Sequence, residues 1–190
     1  MKRLYCIVSF CIVIVLLSSS AFSYEGSSTL IVESKFFSVY GHGDFDIGFL
    51  LTNLNFEYLL HPDTLLDEAS QDNKSVLSKT LDALFLEVSD ILDIHIYSFH
   101  GDIKILPDRD SINSVFKKFF KVDFGESSFY LPEKNTIYIS YADLTLGMLG
   151  HEIAHAIISH YFVVPPPARV QEVLAGYVEY SLRKSTGTLP

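Results

Sequence analysis

The sequence contains little cysteine. Its two cysteines, Cys6 and Cys11, both precede Tyr24, so a mature chain that begins at Tyr24 contains none. Such a chain cannot form disulfides, use a thiol as a nucleophile or bind a metal through thiolates. Any metal site in it must therefore be built from histidine and carboxylate side chains.

Basic residues are also scarce. The chain has 14 lysines and arginines against 23 aspartates and glutamates, which gives a formal charge of -9. The residues before Tyr24 contribute Lys2 and Arg3 and no acid, so their removal makes the remainder more negative. An acidic domain without a basic patch argues against nucleic acids and anionic lipids as partners.

The N-terminal segment has the pattern of a secretory signal peptide. Lys2 and Arg3 form a short basic region, and they are followed by the apolar run Leu4–Leu17. The small residues Ala21 and Ser23, on either side of Phe22, then suit cleavage before Tyr24. The apolar run is short for a membrane span, and an uncleaved membrane anchor is the alternative interpretation.

We therefore expect residues 1–23 to be a signal peptide and residues 24–190 to form one exported domain. Export without disulfides fits a bacterial envelope better than a eukaryotic secretory route. The expected location is periplasmic or secreted, with membrane attachment only if the N-terminal segment stays uncleaved.

Apolar residues follow both helical and strand-like patterns, which predicts an α+β fold with a short mixed sheet. The most regular helical pattern is Val76–Ile94, where the core face is formed by Leu77, Leu81, Leu84, Phe85, Val88, Ile91 and Leu92. Strands are predicted at Leu30–Tyr40, Ile103–Leu106, Ser128–Leu131 and Thr136–Ser140. Further helices are predicted at Phe45–Leu60, Ser111–Phe120, Ala142–Tyr161 and Val170–Lys184.

An H-E-x-x-H motif, His151-Glu152-Ile153-Ala154-His155, lies on the predicted helix Ala142–Tyr161. Histidines four residues apart lie one turn apart on one helix face, where both imidazoles can share a tetrahedral ion. Glu152 is rotated by one position, so it can reach a metal-bound water without being a ligand. Because the surrounding sequence is apolar, these polar groups are costly unless they are paired or bind a metal. The motif therefore predicts a catalytic Zn²⁺ site.

A catalytic zinc site needs a third protein ligand and leaves its fourth position to water. Glu172 is the best candidate, because it lies near the start of the next predicted helix, just after the proline-rich turn Val163–Pro167. Ala175 and Gly176, one turn further on, are small enough to let the two helices approach closely. The rival ligand is His160, which lies off the face that the motif histidines share.

These residues, with Gln171-Glu172-Val173-Leu174-Ala175-Gly176-Tyr177 after them, resemble the gluzincin group of zinc metallopeptidases, the peptidase-MA-like proteins. The resemblance covers about Ser128 to Lys184 and implies a zincin-like domain, with the two histidines and Glu172 as zinc ligands. Gluzincins lay out the substrate backbone along an edge strand, and the strand Thr136–Ser140 resembles that element.

Two positions depart from the thermolysin-like form of this pattern. Gln171 stands where that form has an asparagine before the ligand glutamate, and Gly176 stands where it has an aspartate four residues after it. The partner that orients one histidine is therefore not the usual one. Glu179, seven residues after Glu172 and on the same helix face, could take this role.

The motif and the resemblance together predict an exported zinc metallopeptidase with a peptide or protein substrate. Zinc lowers the pKa of a bound water to about 7 and polarises a carbonyl. Glu152 would act as general base and deliver the proton to the leaving amine. Tyr177 is the candidate donor to the oxyanion, with Tyr161 and Tyr180 as other tyrosines near in sequence.

The alternative is a catalytically silent zinc-site protein, acting as a binding or regulatory factor in the cell envelope. The intact Glu152 favours the enzyme, because zinc binding alone does not require it. Other polar residues give weaker signals: Arg169 is predicted to be an exposed cation at a helix start, and His42 a turn residue. The remaining histidines have no motif around them: His61, His95 and His100.

Overall fold

The computed structural model describes residues 28–41, 45–59 and 72–189. The predicted signal peptide, with its cleavage position before Tyr24, lies outside these residues, and so do His42 and His61. Within the described residues the chain is α+β, with five strands in one mixed sheet and six α-helices. No helix in this part of the chain has both the length and the apolar character needed to cross a membrane.

The elements follow one another as β1-β2-α1-α2-α3-β3-α4-β4-β5-α5-α6. The strands are β1 (Thr29–Glu33), β2 (Phe37–Gly41), β3 (Gly101–Leu106), β4 (Ser128–Leu131) and β5 (Thr136–Ser140). The helices are α1 (Ile47–Asn53), α2 (Phe56–Leu59), α3 (Asn73–Leu92), α4 (Arg109–Phe120), α5 (Leu146–Tyr161) and α6 (Ala168–Ser185).

The sheet has the strand order β1-β2-β3-β5-β4. The central strands β2, β3 and β5 run parallel, and the edge strands β1 and β4 pair antiparallel with their neighbours. The prediction that Thr136–Ser140 is the edge strand is therefore wrong, because this strand is β5 and is paired on both sides. The edge strand that precedes the motif helix is β4.

The two faces of the sheet bury different cores, because side chains alternate between faces along a strand. Ile137 and Ile139 of β5 pack into the main core with residues of α1, α3, α5 and α6. Tyr138, between them, packs on the other face with Ile112 and Val115 of α4. The polar residues of α5 and α6 lie on the face of the sheet that carries the main core.

Several predicted elements are confirmed. β4 and β5 have the predicted bounds, and α3 buries much of the predicted apolar face, including Leu77, Leu81, Leu84, Phe85 and Val88. The helix predicted at Ala142–Tyr161 begins later, at Leu146, because the Thr145 hydroxyl oxygen accepts a hydrogen bond from the backbone N–H of Met148 at 3.2 Å. This N-cap fixes where the motif helix begins.

Two predicted elements are each divided in the structure. Leu30–Tyr40 is two antiparallel strands, since the chain turns at residues 34–36, where the backbone N–H of Ser34 donates to the carbonyl of Phe37 at 2.8 Å. Phe45–Leu60 contains the separate helices α1 and α2, because Asn55 between them has a left-handed backbone with φ of 47°. Asparagine tolerates this conformation better than most residues do.

The last two helices pack closely at glycines of α5. A methyl group on Gly150 would collide with the side chain of Leu182, and one on Gly147 would lie 2.9 Å from the Cγ of Arg183. The sequence-based expectation placed the small residues on α6. Ala175 is indeed fully buried, but a side chain on Gly176 would meet open space.

Candidate metal centre

His151, His155 and Glu172 bring their ligand atoms together, each within 4.8 Å of the others. The two histidine Nε2 atoms are 3.2 Å apart. Glu172 places Oε2 3.6 Å from Nε2 of His151 and Oε1 3.5 Å from Nε2 of His155. Ligands about 2.1 Å from a tetrahedral ion are about 3.4 Å from one another. The three groups therefore lie close enough together to hold one metal ion.

Local sequence explains how these side chains meet. The histidines lie one turn apart on α5, and both are largely buried. After α5 the chain runs through Pro165, Pro166 and Pro167, which cannot continue a helix, and α6 begins at Ala168. The close packing of α6 on α5 then brings Glu172, in the second turn of α6, over the histidine pair.

A second carboxylate lies behind His151. The Nδ1 atom of His151 is buried and, among the described residues, has no partner with hydrogen-bond geometry. Glu179 places Oε2 3.4 Å from this Nδ1, and its other oxygen lies 3.5 Å from a guanidinium nitrogen of Arg183. Small adjustments would let the ring donate a proton from Nδ1 to Glu179, which would leave Nε2 free to bind a metal.

His155 has a different outer partner. The side chain of Gln171 is hydrogen-bonded to the His155 ring, and its amide N–H donates to the carbonyl of Pro166 at 2.8 Å. Burial and the neighbouring His151 lower the pKa of His155, which favours the neutral imidazole that binds metals. Gln171 thus ties the ring to the proline turn that precedes α6.

Glu152 is buried beside the cluster and is not part of it. Only 6% of its surface is exposed, and its Oε1 accepts a hydrogen bond from the Ser128 hydroxyl at 2.7 Å. The backbone N–H of Tyr130 donates to the same carboxyl group. Burial raises the pKa of Glu152 to about 7, an effect that these hydrogen bonds partly oppose. The edge strand β4 therefore holds a carboxyl group that is poised to exchange a proton near neutral pH.

A cavity of about 630 Å³ opens over the cluster and Glu152, alongside β4. Its wall on the α4 side is aromatic and includes Phe116 and Phe124, whose rings stack with centroids 4.0 Å apart. Carboxylates are frequent in its lining, which includes Glu126, Glu172 and Glu179 and contains no lysine or arginine among the described residues. The cavity is large enough for several side chains of a peptide.

The structure does not bring Tyr177 to this cavity. Tyr177 is 57% exposed on the outer side of α6, and Tyr161 and Tyr180 are also exposed. None of the three lines the cavity, so the prediction of an oxyanion donor among them has no geometric support. Tyr130 does line it, but its hydroxyl donates to Oδ1 of Asn135 at 2.9 Å.

The other polar candidates lie elsewhere. His160, the rival ligand, packs edge-on against the Phe99 ring and is outside the cluster. His100 is bonded to the Ser38 hydroxyl at 2.9 Å, and Arg169 is exposed at the start of α6 and does not line the cavity.

Sequence reasoning missed two contributing residues. Ser128 had a detectable signal, because it is a small polar residue in an otherwise aromatic and apolar strand. Gln171 was noticed only as a departure from the thermolysin-like pattern. Its contact with His155 depends on the turn before α6.

The site therefore defines a class: a His/His/Glu group able to hold a divalent metal ion, beside a buried carboxyl group and an open cavity. No family model matches the chain, and neither a curated protein nor a solved structure does. The case for a function accordingly depends on the geometry of these residues.

Proposed function

We propose that this protein is an exported zinc-dependent peptidase with a zincin-like fold. The observation that carries the proposal is that the ligand atoms of His151, His155 and Glu172 meet directly beside the buried Glu152. A site that only stabilised the fold would use four protein ligands, whereas three ligands at an open cavity are typical of catalytic zinc.

The donor set supports zinc. Two imidazole nitrogens and one carboxylate are ligands that Zn²⁺ accepts readily, and hard ions such as Mg²⁺ and Ca²⁺ prefer all-oxygen sites. The outer partners Glu179 and Gln171 fit as well, since histidine ligands almost always have a hydrogen-bond acceptor for their second ring nitrogen.

Zinc bound by these residues would supply a Lewis acid and would lower the pKa of a coordinated water to about 7. Glu152 accepts the proton of the attacking water and passes it to the leaving nitrogen. Ser128 and Tyr130 hold the carboxyl group in place while it does so.

The edge strand gives the substrate a place to bind. β4 pairs with β5 on one side only, and its residues Ser128, Phe129 and Tyr130 line the cavity. An extended peptide can add to such an edge as a further strand through main-chain hydrogen bonds. Because the cavity lining has no cation for a terminal carboxylate, we propose cleavage of internal peptide bonds.

The proposal is tested by metal analysis together with Glu152→Gln. The full chain should carry one zinc ion and cleave members of a diverse peptide library. Glu152→Gln should keep the zinc and the fold but lose about 10²–10⁴-fold in kcat, as expected for a positioned acid–base group. Glu133→Gln, an exposed change beside β4, is the matched control and should cleave normally.

The outcomes are distinct. Cleavage by Glu152→Gln at the wild-type rate would refute the mechanism. A wild-type chain that carries zinc and cleaves nothing in the library would instead support a silent zinc-site protein that binds a partner through the same cavity.

A further inference from the structure

The connection between α5 and α6 exposes an apolar tip. Val163 is fully exposed and Val164 is 81% exposed, and Tyr161 and Phe162 before them are also exposed. The prolines at 165–167 follow directly and restrict the backbone, so that the tip is held outward by a stiff turn. Exposed valines are unfavourable in water, and nothing in the described fold covers these two.

The outer face of α6 continues this apolar tip. Val170, Val173, Tyr177 and Tyr180 recur at intervals of three and four residues, and all are exposed. Helical spacing therefore places them along one stripe that faces away from α5. We call this stripe, together with the exposed residues 161–164, the α6 surface.

The charges of α6 are divided between its two sides. Arg169 and Lys184 are exposed and fall on the same stripe as the valines and tyrosines. The acids of the helix, Glu172 and Glu179, face the histidines of α5 instead. In a chain of formal charge -9, the α6 surface therefore presents cations and apolar side chains without a carboxylate among them.

We propose that the α6 surface docks the protein on a phospholipid bilayer that contains anionic headgroups. A convex valine tip suits insertion between acyl chains, and tyrosines favour the boundary between headgroups and hydrocarbon. Arg169 and Lys184 complement lipid phosphates. The negative net charge of the chain argued against anionic lipids as partners. Net charge is a sum over the whole chain, however, and one face can carry cations while the others carry the acids.

Docking would also orient the cavity. Ser159, Ala168 and Gln171 line the cavity and lie in sequence on either side of the apolar tip. The cavity therefore opens next to the docked surface, and substrates at the membrane would reach it first. This consequence rests on the proposed peptidase function, whereas bilayer binding does not.

The test uses the absence of tryptophan from the chain. Val164→Trp in the full chain places a single fluorescent reporter at the tip, and Val122→Trp is the matched control. Val122 is 56% exposed and follows α4, on the other face of the sheet. Because the sequence Leu4–Leu17 is expected to attach the full chain to vesicles by itself, the readout is the environment of each tryptophan.

With vesicles of phosphatidylglycerol and phosphatidylcholine, the emission of Val164→Trp should shift to the blue and be quenched by brominated acyl chains. Val122→Trp should show neither change. Adding Arg169→Gln or Lys184→Gln to Val164→Trp should lower the ratio of inserted to uninserted tryptophan on the vesicles by about fivefold for each cation removed.

Two results would overturn the proposal. One is a Val164→Trp emission that stays unshifted and unquenched on vesicles. The other is a blue shift that depends on protein concentration without lipid, which would mean that a second copy of the chain covers the α6 surface. Circular dichroism of both variants checks that the fold is kept.

Discussion

The helices α5 and α6 carry the two halves of the site, but they differ in how they meet the rest of the protein. α5 is buried over most of its surface, from Leu146 to Ile158. α6 buries only Ala175, Val178 and Leu182. The two helices nevertheless face each other across one group of side chains that could hold a metal ion.

This difference shows that polar residues in the sequence point to a functional site mainly where the surrounding helix is buried. Within α5 a polar group is unfavourable unless it is paired or binds a metal, so His151, Glu152 and His155 stand out against their apolar surroundings. On α6 exposed polar residues are ordinary, and Glu172 and Glu179 look like surface acids. Only the packing of α6 on α5 gives them a role.

The largest expected effect is the loss of zinc affinity when a proposed ligand is removed. It shows whether α6, the more exposed helix, supplies one of the ligands. His155→Ala should abolish tight zinc binding, and Glu172→Ala should weaken it strongly, because the cluster loses its anionic ligand. Isothermal titration of the chelator-treated chain with zinc measures both. Glu133→Ala, which removes an exposed acid outside the cavity, should leave the affinity unchanged. Full zinc affinity in Glu172→Ala would mean that the third ligand was wrongly assigned.

A smaller effect is expected at the outer partner of His151. Glu179→Ala should lower zinc affinity about 10- to 100-fold, because it removes the carboxylate 3.4 Å from Nδ1 that could accept the ring proton and favour the metal-binding tautomer. The control is Arg183→Ala, which breaks the ion pair of Glu179 with Arg183 and leaves the carboxylate beside Nδ1. Equal losses in both variants would indicate that the ion pair matters only for the packing of the helix.

The comparison also explains how far sequence reasoning reached. The motif histidines and Glu152 were predicted because their spacing on one helix is a local property. Glu172 needed the inference that α6 folds back on α5. The edge strand was misassigned to Thr136–Ser140, since strand order depends on contacts between distant segments such as β3 with β5. Local pattern fixes neither the order of strands nor the neighbours of a helix.

Local sequence also did not predict which residues allow the close contact between α5 and α6. Ala175 and Gly176 of α6 were expected to allow the close approach, whereas Gly147 and Gly150 of α5 provide most of it. The sequence around a helical glycine does not indicate whether that glycine lies in a tight contact or faces open space. Tyr177 has no place in the cavity for a related reason, because only the packing of α6 decides which side of the helix faces the site.

The third prediction compares one glycine from each helix. In Gly150→Ala the new methyl group displaces the fully buried Leu182, and overpacking costs about 1–3 kcal/mol. Alanine's better helix propensity offsets up to about 1 kcal/mol of this loss. In Gly176→Ala the new methyl group meets no neighbour, so only the helix propensity changes. The free energy of unfolding should therefore rise by about 0.5–1 kcal/mol.

Urea denaturation of the metal-free chains measures both changes. Zinc titration then adds a second comparison, since a shift of α6 in Gly150→Ala should also weaken zinc binding, and Gly176→Ala should not. Equal stability changes in the two variants would contradict the close contact at Gly150.

The last expected effect, a loss confined to one hydrogen bond, concerns how the two helices begin. α5 begins with a side-chain cap from Thr145, whereas α6 begins after Pro167 without one. Thr145→Ala removes the acceptor for the Met148 N–H and should lower the free energy of unfolding by about 1 kcal/mol. Thr145→Ser keeps a hydroxyl oxygen and should recover most of that loss. The measurement is urea denaturation with a chelator present, because bound zinc would add its own stabilisation and hide a change of this size. If alanine and serine gave the same stability, the start of α5 would be fixed by the packing of its buried face alone.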